Sequence, residues 1–79
     1  MNQPTPLQER ILAFVLGYYA DNGVSPTREE IAERVKADDG SMLSSGVVHY
    51  HTEQLVRMGR LKRTRRSRWR NLAPISAND

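Results

Sequence analysis

Ser44-Ser45-Gly46-Val47-Val48-His49-Tyr50-His51-Thr52-Glu53-Gln54-Leu55-Val56-Arg57-Met58-Gly59 has the period of an amphipathic helix. On a helical wheel Val48, Thr52 and Leu55 fall within about 60° of one another and mark a core-facing stripe, flanked by His51, Val56 and Met58. Gly46, Tyr50, Glu53 and Arg57 point the opposite way, with Val47, His49 and Gln54 at the edges. Ser44 or Ser45 supplies the capping oxygen, and Gly59 stops the helix. The outward residues at its start are small or hydrogen-bonding.

Upstream lie two more helix signatures. Thr5-Pro6-Leu7-Gln8 combines an N-cap threonine, a proline at the first helical position and a glutamine that completes a capping box. Leu7, Ile11, Phe14, Val15 and Tyr18 then recur at helical spacing, and Asn22-Gly23 ends the run. Val24-Ser25-Pro26 is extended, because proline disfavours helix in the residue before it. Thr27-Arg28-Glu29-Glu30 is a second capping box, with both acids well placed against the helix dipole. Ile31, Ala32 and Val35 supply the buried stripe of a short helix over 27–36. Ala37-Asp38-Asp39-Gly40-Ser41 has turn composition.

Downstream the chain changes character. Residues 57–70 hold eight of the 12 basic residues and no acid, while the other 65 residues carry four basic and nine acidic groups. A formal charge of +3 therefore hides an acidic body and a cationic end. Such a block attracts a polyanion, and nucleic acid is the commonest one. A purely solubilising tail would lack Leu61, Trp69 and Leu72, and a membrane-surface helix would need an apolar stripe that is missing here. Residues 60–64 have room for a strand, and a turn over 65–67 with a return strand over 68–72 would complete a hairpin. Arg63 and Asn71 fit neither face of it.

Three short helices and a basic hairpin are the parts of a winged helix-turn-helix, mainly α with a small β-wing. In that arrangement the third helix enters the major groove of duplex DNA and the hairpin lies along the phosphates. Small side chains at the start of the third helix allow close approach to base edges. The chain has room for one domain, expected over 5–73, with a disordered N-terminus over 1–4 and a polar tail over 74–79. The absence of cysteine excludes disulfides and thiolate metal sites. Residues 11–20 fall short of the roughly 20 that span a bilayer. They also make a poor signal peptide, since Arg10 beside Glu9 is the one preceding basic residue and Tyr18-Tyr19-Ala20 is a poor cleavage site. A soluble cytoplasmic, nucleoid-associated chain is expected.

The run Ser25-Pro26-Thr27-Arg28-Glu29-Glu30-Ile31-Ala32 resembles the entry into the second helix of LexA repressors. Ser44-Ser45-Gly46-Val47-Val48-His49-Tyr50-His51, continuing to Leu55 and Gly59, is similar to their recognition helix, especially in its Gram-positive form. The likeness covers residues 5–72 and includes the spacing of the two segments, with a few extra residues around 38–42. It implies base contacts from Ser44, Gly46, Val47, His49 and Tyr50. Phosphate contacts are expected from Ser45, Arg57, Lys62, Arg63, Arg65, Arg66, Arg68 and Arg70. Thr52 stands where the family usually has leucine, and the hairpin is richer in arginine than the family's. LexA repressors also carry a self-cleaving, dimerising domain with a Ser-Lys dyad. Nothing in these 79 residues matches it, and Met1 and the polar end favour a stand-alone regulator over an excised domain.

Other chemistries find weak support. His49 and His51 diverge by about 160° on a helix, so they do not form a metal pair. Ser44 and Ser45 lack an oriented base and read as caps rather than nucleophiles. Tyr18, Tyr19 and Trp69 could stack on bases, but aromatics so placed usually pack against the core. Gly17 and Gly23 belong to no phosphate-binding motif. The expected function is sequence-specific DNA binding by a transcriptional regulator, a repressor, with no enzyme activity, cofactor or metal and with two copies on paired half-sites. Alternatives are an architectural DNA-bending protein like a phage excisionase, or a winged helix used for protein–protein contact.

Overall fold

The computed structural model describes residues 3–75. Residues 1–2 of the expected disordered N-terminus and 76–79 of the expected tail lie outside them. The order of elements is α1 (Pro6–Asn22), α2 (Arg28–Arg34), α3 (Ser45–Arg57), β1 (Leu61–Arg63) and β2 (Leu72–Pro74).

Both capping boxes form in full. The Thr5 hydroxyl accepts from the Gln8 amide while the Gln8 side chain accepts from the Thr5 amide, and Thr27 and Glu30 do the same for α2. Ser44 caps α3 by accepting from the Val47 amide at 3.2 Å. Gly23 ends α1 at φ 75°, a left-handed conformation that costs a glycine little. α2 is shorter than its sequence suggests. Val35 leaves the helix with φ −109° and ψ 128°, because Lys36 pairs with Met42 in an isolated antiparallel bridge. Arg10 holds this turn to α1 by donating to the Lys36 carbonyl and to Asp38, both at 2.8 Å.

The three helices pack around Ile11, Val15, Ile31, Val48 and Leu55, all fully buried. Leu12 of α1 joins them, although its position lies beside the stripe read from periodicity. Phe14 and Tyr18 cover the edge of this core, their ring centroids 5.9 Å apart. Leu61, Leu72 and Ala73 close its far side with the hairpin.

The hairpin register differs from the expected one. Leu61 pairs with Pro74, Lys62 with Ala73 and Arg63 with Leu72, so the return strand begins at Leu72 rather than at Arg68. The intervening segment is a long wing loop instead of a tight turn. Arg63 and Asn71, which suit neither face of a strand, are its base. The Thr64 amide donates to the Asn71 carbonyl at 2.7 Å, and the Arg63 guanidinium donates to Asn71 Oδ1 at 3.1 Å. Pro74 ends a two-stranded sheet, a place where a missing amide is tolerated. The architecture is a three-helix winged helix-turn-helix.

One polar contact inside this frame is sensitive to pH. The N-terminal capping box fixes the orientation of the Gln8 amide, because its Oε1 accepts from Thr5. Its Nε2 therefore donates to His51 Nδ1 of α3 at 3.0 Å, which requires an unprotonated nitrogen there. Burial pushes the His51 pKa below its ordinary value. Between the two values the unfolded chain binds more protons than the folded one, so this contribution is full above about pH 6.5 and is lost as pH falls through the folded pKa. Thermal unfolding should therefore show Tm declining as pH is lowered below about 6.5, and His51→Gln should flatten that decline. An unchanged slope in the variant would remove His51 as its cause.

Candidate nucleic-acid interface

The N-terminal end of α3 stands free of the body. Ser44, Ser45, Gly46, Val47, His49 and Tyr50 are all exposed, while Val48, Thr52 and Leu55 beneath them are buried. Helical geometry alone produces this division, since the buried three share one side of the wheel. Tyr50 is held edge-on to His51 with ring centroids 5.2 Å apart. Met42, overlooked in the sequence, lies just before Ser44 and is 68% exposed. A Cβ placed on Gly46 would meet nothing within 4 Å. No internal packing therefore calls for glycine there, although glycine within a helix is destabilising relative to alanine by about 0.5–1 kcal/mol.

The basic block beside this face divides into two groups. Arg57, Arg60, Arg65 and Arg68 are exposed and form no ion pair among the described residues, although Arg68 lies over the Trp69 ring at 5.4 Å from its centroid. Lys62 is exposed on β1. Arg63, Arg66 and Arg70 turn to partners within the chain. Arg63 pairs with Glu53 of α3, which neutralises the one acid on the outward face of that helix. Arg66 donates to the Gly23 carbonyl at the end of α1, at 3.2 Å.

Arg70, expected among the phosphate contacts, fastens the wing to the body. Its Nη1 and Nη2 grip Glu30 Oε1 and Oε2 at 2.8 and 3.1 Å. Nη1 also donates to the Tyr18 hydroxyl at 3.0 Å and to the Ser25 carbonyl at 3.1 Å. Glu30 lies 40 residues before Arg70 in the chain. Arg70 beside it holds the Glu30 carboxyl below the usual glutamate range. The buried Ser25 hydroxyl accepts from the Leu72 amide at 3.1 Å, so loop and strand are tied to the same short segment.

Trp69 also departs from expectation. An aromatic on the wing was expected to pack on the core, yet Trp69 is 55% exposed. It forms one wall of a small cleft between α2, α3 and the wing. Among the described residues no group of three His, Asp or Glu side chains could hold a metal ion, and no helix is long and apolar enough to cross a membrane.

No protein-family model matches the chain. It is 35% identical, over all 79 of its residues, to LexA repressor 1 of Geobacter sulfurreducens, and spans 36% of that protein's length.

The Glu30–Arg70 fork generates a prediction. In Glu30→Gln, amide exchange in the wing loop should become several-fold faster while that of the α1 and α3 core amides stays near wild type, because the wing opens as its own unit. Because the folded Glu30 pKa is lowered, the fork contributes fully above the ordinary glutamate value of about 4.3 and is lost as pH falls through the folded one. Hydrogen exchange at neutral and acidic pH reads both effects, and equal protection in the variant and wild type would show that the fork does not hold the wing. By architecture the chain is a winged helix-turn-helix domain, and its sequence is similar to part of a LexA repressor.

Proposed function

We propose that this domain binds duplex DNA in a sequence-specific manner and acts as a transcriptional regulator, a repressor. α3 would enter the major groove, with Ser44, Gly46, Val47, His49 and Tyr50 reading bases. Val47 offers an apolar contact for a thymine methyl group, and His49 and Tyr50 offer hydrogen bonds. Ser45, Arg57, Lys62, Arg65 and Arg68 would meet phosphates. Arg63, Arg66 and Arg70 are given a smaller share of that work, since their guanidinium groups already have partners within the chain.

Gly46 is the observation that carries the reading. It stands at the exposed start of α3 beside His49 and Tyr50, with open space where a side chain would be. The helix backbone can therefore approach a groove floor closely there. The similarity to LexA repressor 1 supports the same partner, and reading bases calls for no catalytic group. One module of this size buries about 600–1,000 Å² on DNA, which limits the specificity of a single copy. Two copies on half-sites about one helical turn apart would multiply it.

Gly46→Ala should raise stability to unfolding by about 0.5–1 kcal/mol and yet weaken binding to a duplex selected from a random pool. A more stable variant with undiminished affinity would place the groove contact elsewhere. Tyr50→Ala and His49→Ala should change which sequence is preferred, at about 1–3 kcal/mol per lost base contact. Uniform weakening across all sequences would show that these side chains do not read bases. Arg65→Ala should lower the salt slope of binding by about one unit without altering the preferred sequence. An unchanged slope would exclude Arg65 from the phosphate contacts.

A further inference from the structure

The cleft walled by Trp69 is built from three elements. Arg28 enters from α2, His49 from α3, and Arg63, Arg68, Trp69 and Asn71 from the wing and its base. No carboxylate lines it. Its volume is about 70 Å³. A single water needs only about 10–15 Å³, whereas sites for small organic ligands run to about 300–1,000 Å³. The space suits a group the size of a tetrahedral anion.

The charges in it are unevenly satisfied. Arg63 has Glu53 as its counter-ion. Arg28 is half-buried at the first position of α2, yet among the described residues its side chain forms no hydrogen bond or ion pair. A guanidinium taken partly out of water without a partner is costly, and here it opens on a cleft whose rim carries the exposed Arg68. Arg68 has no carboxylate partner among the described residues either, and its guanidinium lies over the Trp69 ring at 5.4 Å from the centroid, a cation–π contact that favours one placement of its fork. Asn71 stiffens the rim by donating to the Arg68 carbonyl at 3.2 Å and accepting from Arg63. Fixed guanidinium forks are suited to bidentate recognition of phosphate.

We infer that this cleft seats one phosphodiester group of the DNA backbone, with Arg28 and Arg68 as its principal ligands. The inference rests on the DNA-binding reading above and deepens it. If α3 lies in one groove and the wing beside the next, a single strand of backbone crosses between them, where the cleft opens. Arg28 is then a phosphate ligand supplied by α2, outside the basic block. Trp69 is a positioning residue that holds the Arg68 fork, and His49 stands where α3 passes from bases to backbone.

The test is a methylphosphonate scan of a selected duplex, neutralising one phosphate at a time, with the full chain and its Arg28→Ala, Arg28→Lys and Trp69→Ala variants. Thermal unfolding checks that each variant is folded. The expected result is one phosphate per half-site whose neutralisation weakens the wild type by about tenfold. Arg28→Ala should weaken binding similarly and be insensitive to that same substitution, while Arg28→Lys recovers part of the loss. Trp69→Ala should reduce sensitivity at that phosphate alone. Equal responses of wild type and Arg28→Ala at every phosphate would overturn the inference, and sequence-selective binding by both would leave the α3 reading standing. A wild-type chain that binds no duplex overturns both. Inorganic phosphate at constant ionic strength should displace the duplex no better than chloride; efficient displacement would make the cleft a free-anion site and overturn its assignment to the backbone.

Discussion

One carboxylate joins the two halves of this domain. Glu30 Oε1 accepts from the Thr27 amide at 2.8 Å, completing the cap of α2, and from Arg70 at 2.8 Å, fastening the wing. Its second oxygen accepts from Arg70 and from the Tyr18 hydroxyl of α1. The start of α2, the end of α1 and the wing therefore meet at a single side chain. A hairpin of two three-residue strands is marginal by itself in water, so its direction depends on such ties. Ser25 adds a hydroxyl for the Leu72 amide and a carbonyl for Arg70, and Leu61 and Leu72 anchor the strands in the core.

This fastening sorts the arginines. A block of like charge would repel itself and splay if nothing met it. Here Glu53, the Gly23 carbonyl and Glu30 engage Arg63, Arg66 and Arg70, leaving Arg57, Arg60, Arg65 and Arg68 without an ion pair among the described residues. The inward arginines set where the wing stands, and the outward ones give it its positive field. The Arg63–Glu53 pair serves both purposes, tying β1 to α3 and removing a negative charge from the face proposed to meet a polyanion.

The helices were legible because their signals are local. Thr5 with Gln8, Thr27 with Glu30, and Ser44 all cap where the sequence places them, and Val48, Thr52 and Leu55 form the predicted buried stripe. The misreadings arise where distant residues decide. α2 stops at Arg34 because Lys36 pairs with Met42, which no capping rule reveals. The return strand starts at Leu72 because Asn71 closes the loop against Thr64. Local alternation favoured an earlier start. Arg70 counted as one more charge in a basic run, since its partner lies 40 residues away. Arg28 drew no notice because its cleft exists only once α2, α3 and the wing have been brought together.

The central claim is that the start of α3 and the wing loop act as one surface, oriented by the Glu30–Arg70 fork, toward duplex DNA. Titration of the ¹⁵N-labelled chain with a selected duplex, followed residue by residue in amide spectra, tests it most directly. The account predicts the largest changes at residues 44–50 and 64–69 together, with Ala13 and Ala20 on the exposed side of α1 unmoved. Changes centred on α1, or confined to the wing with α3 unaffected, would contradict it.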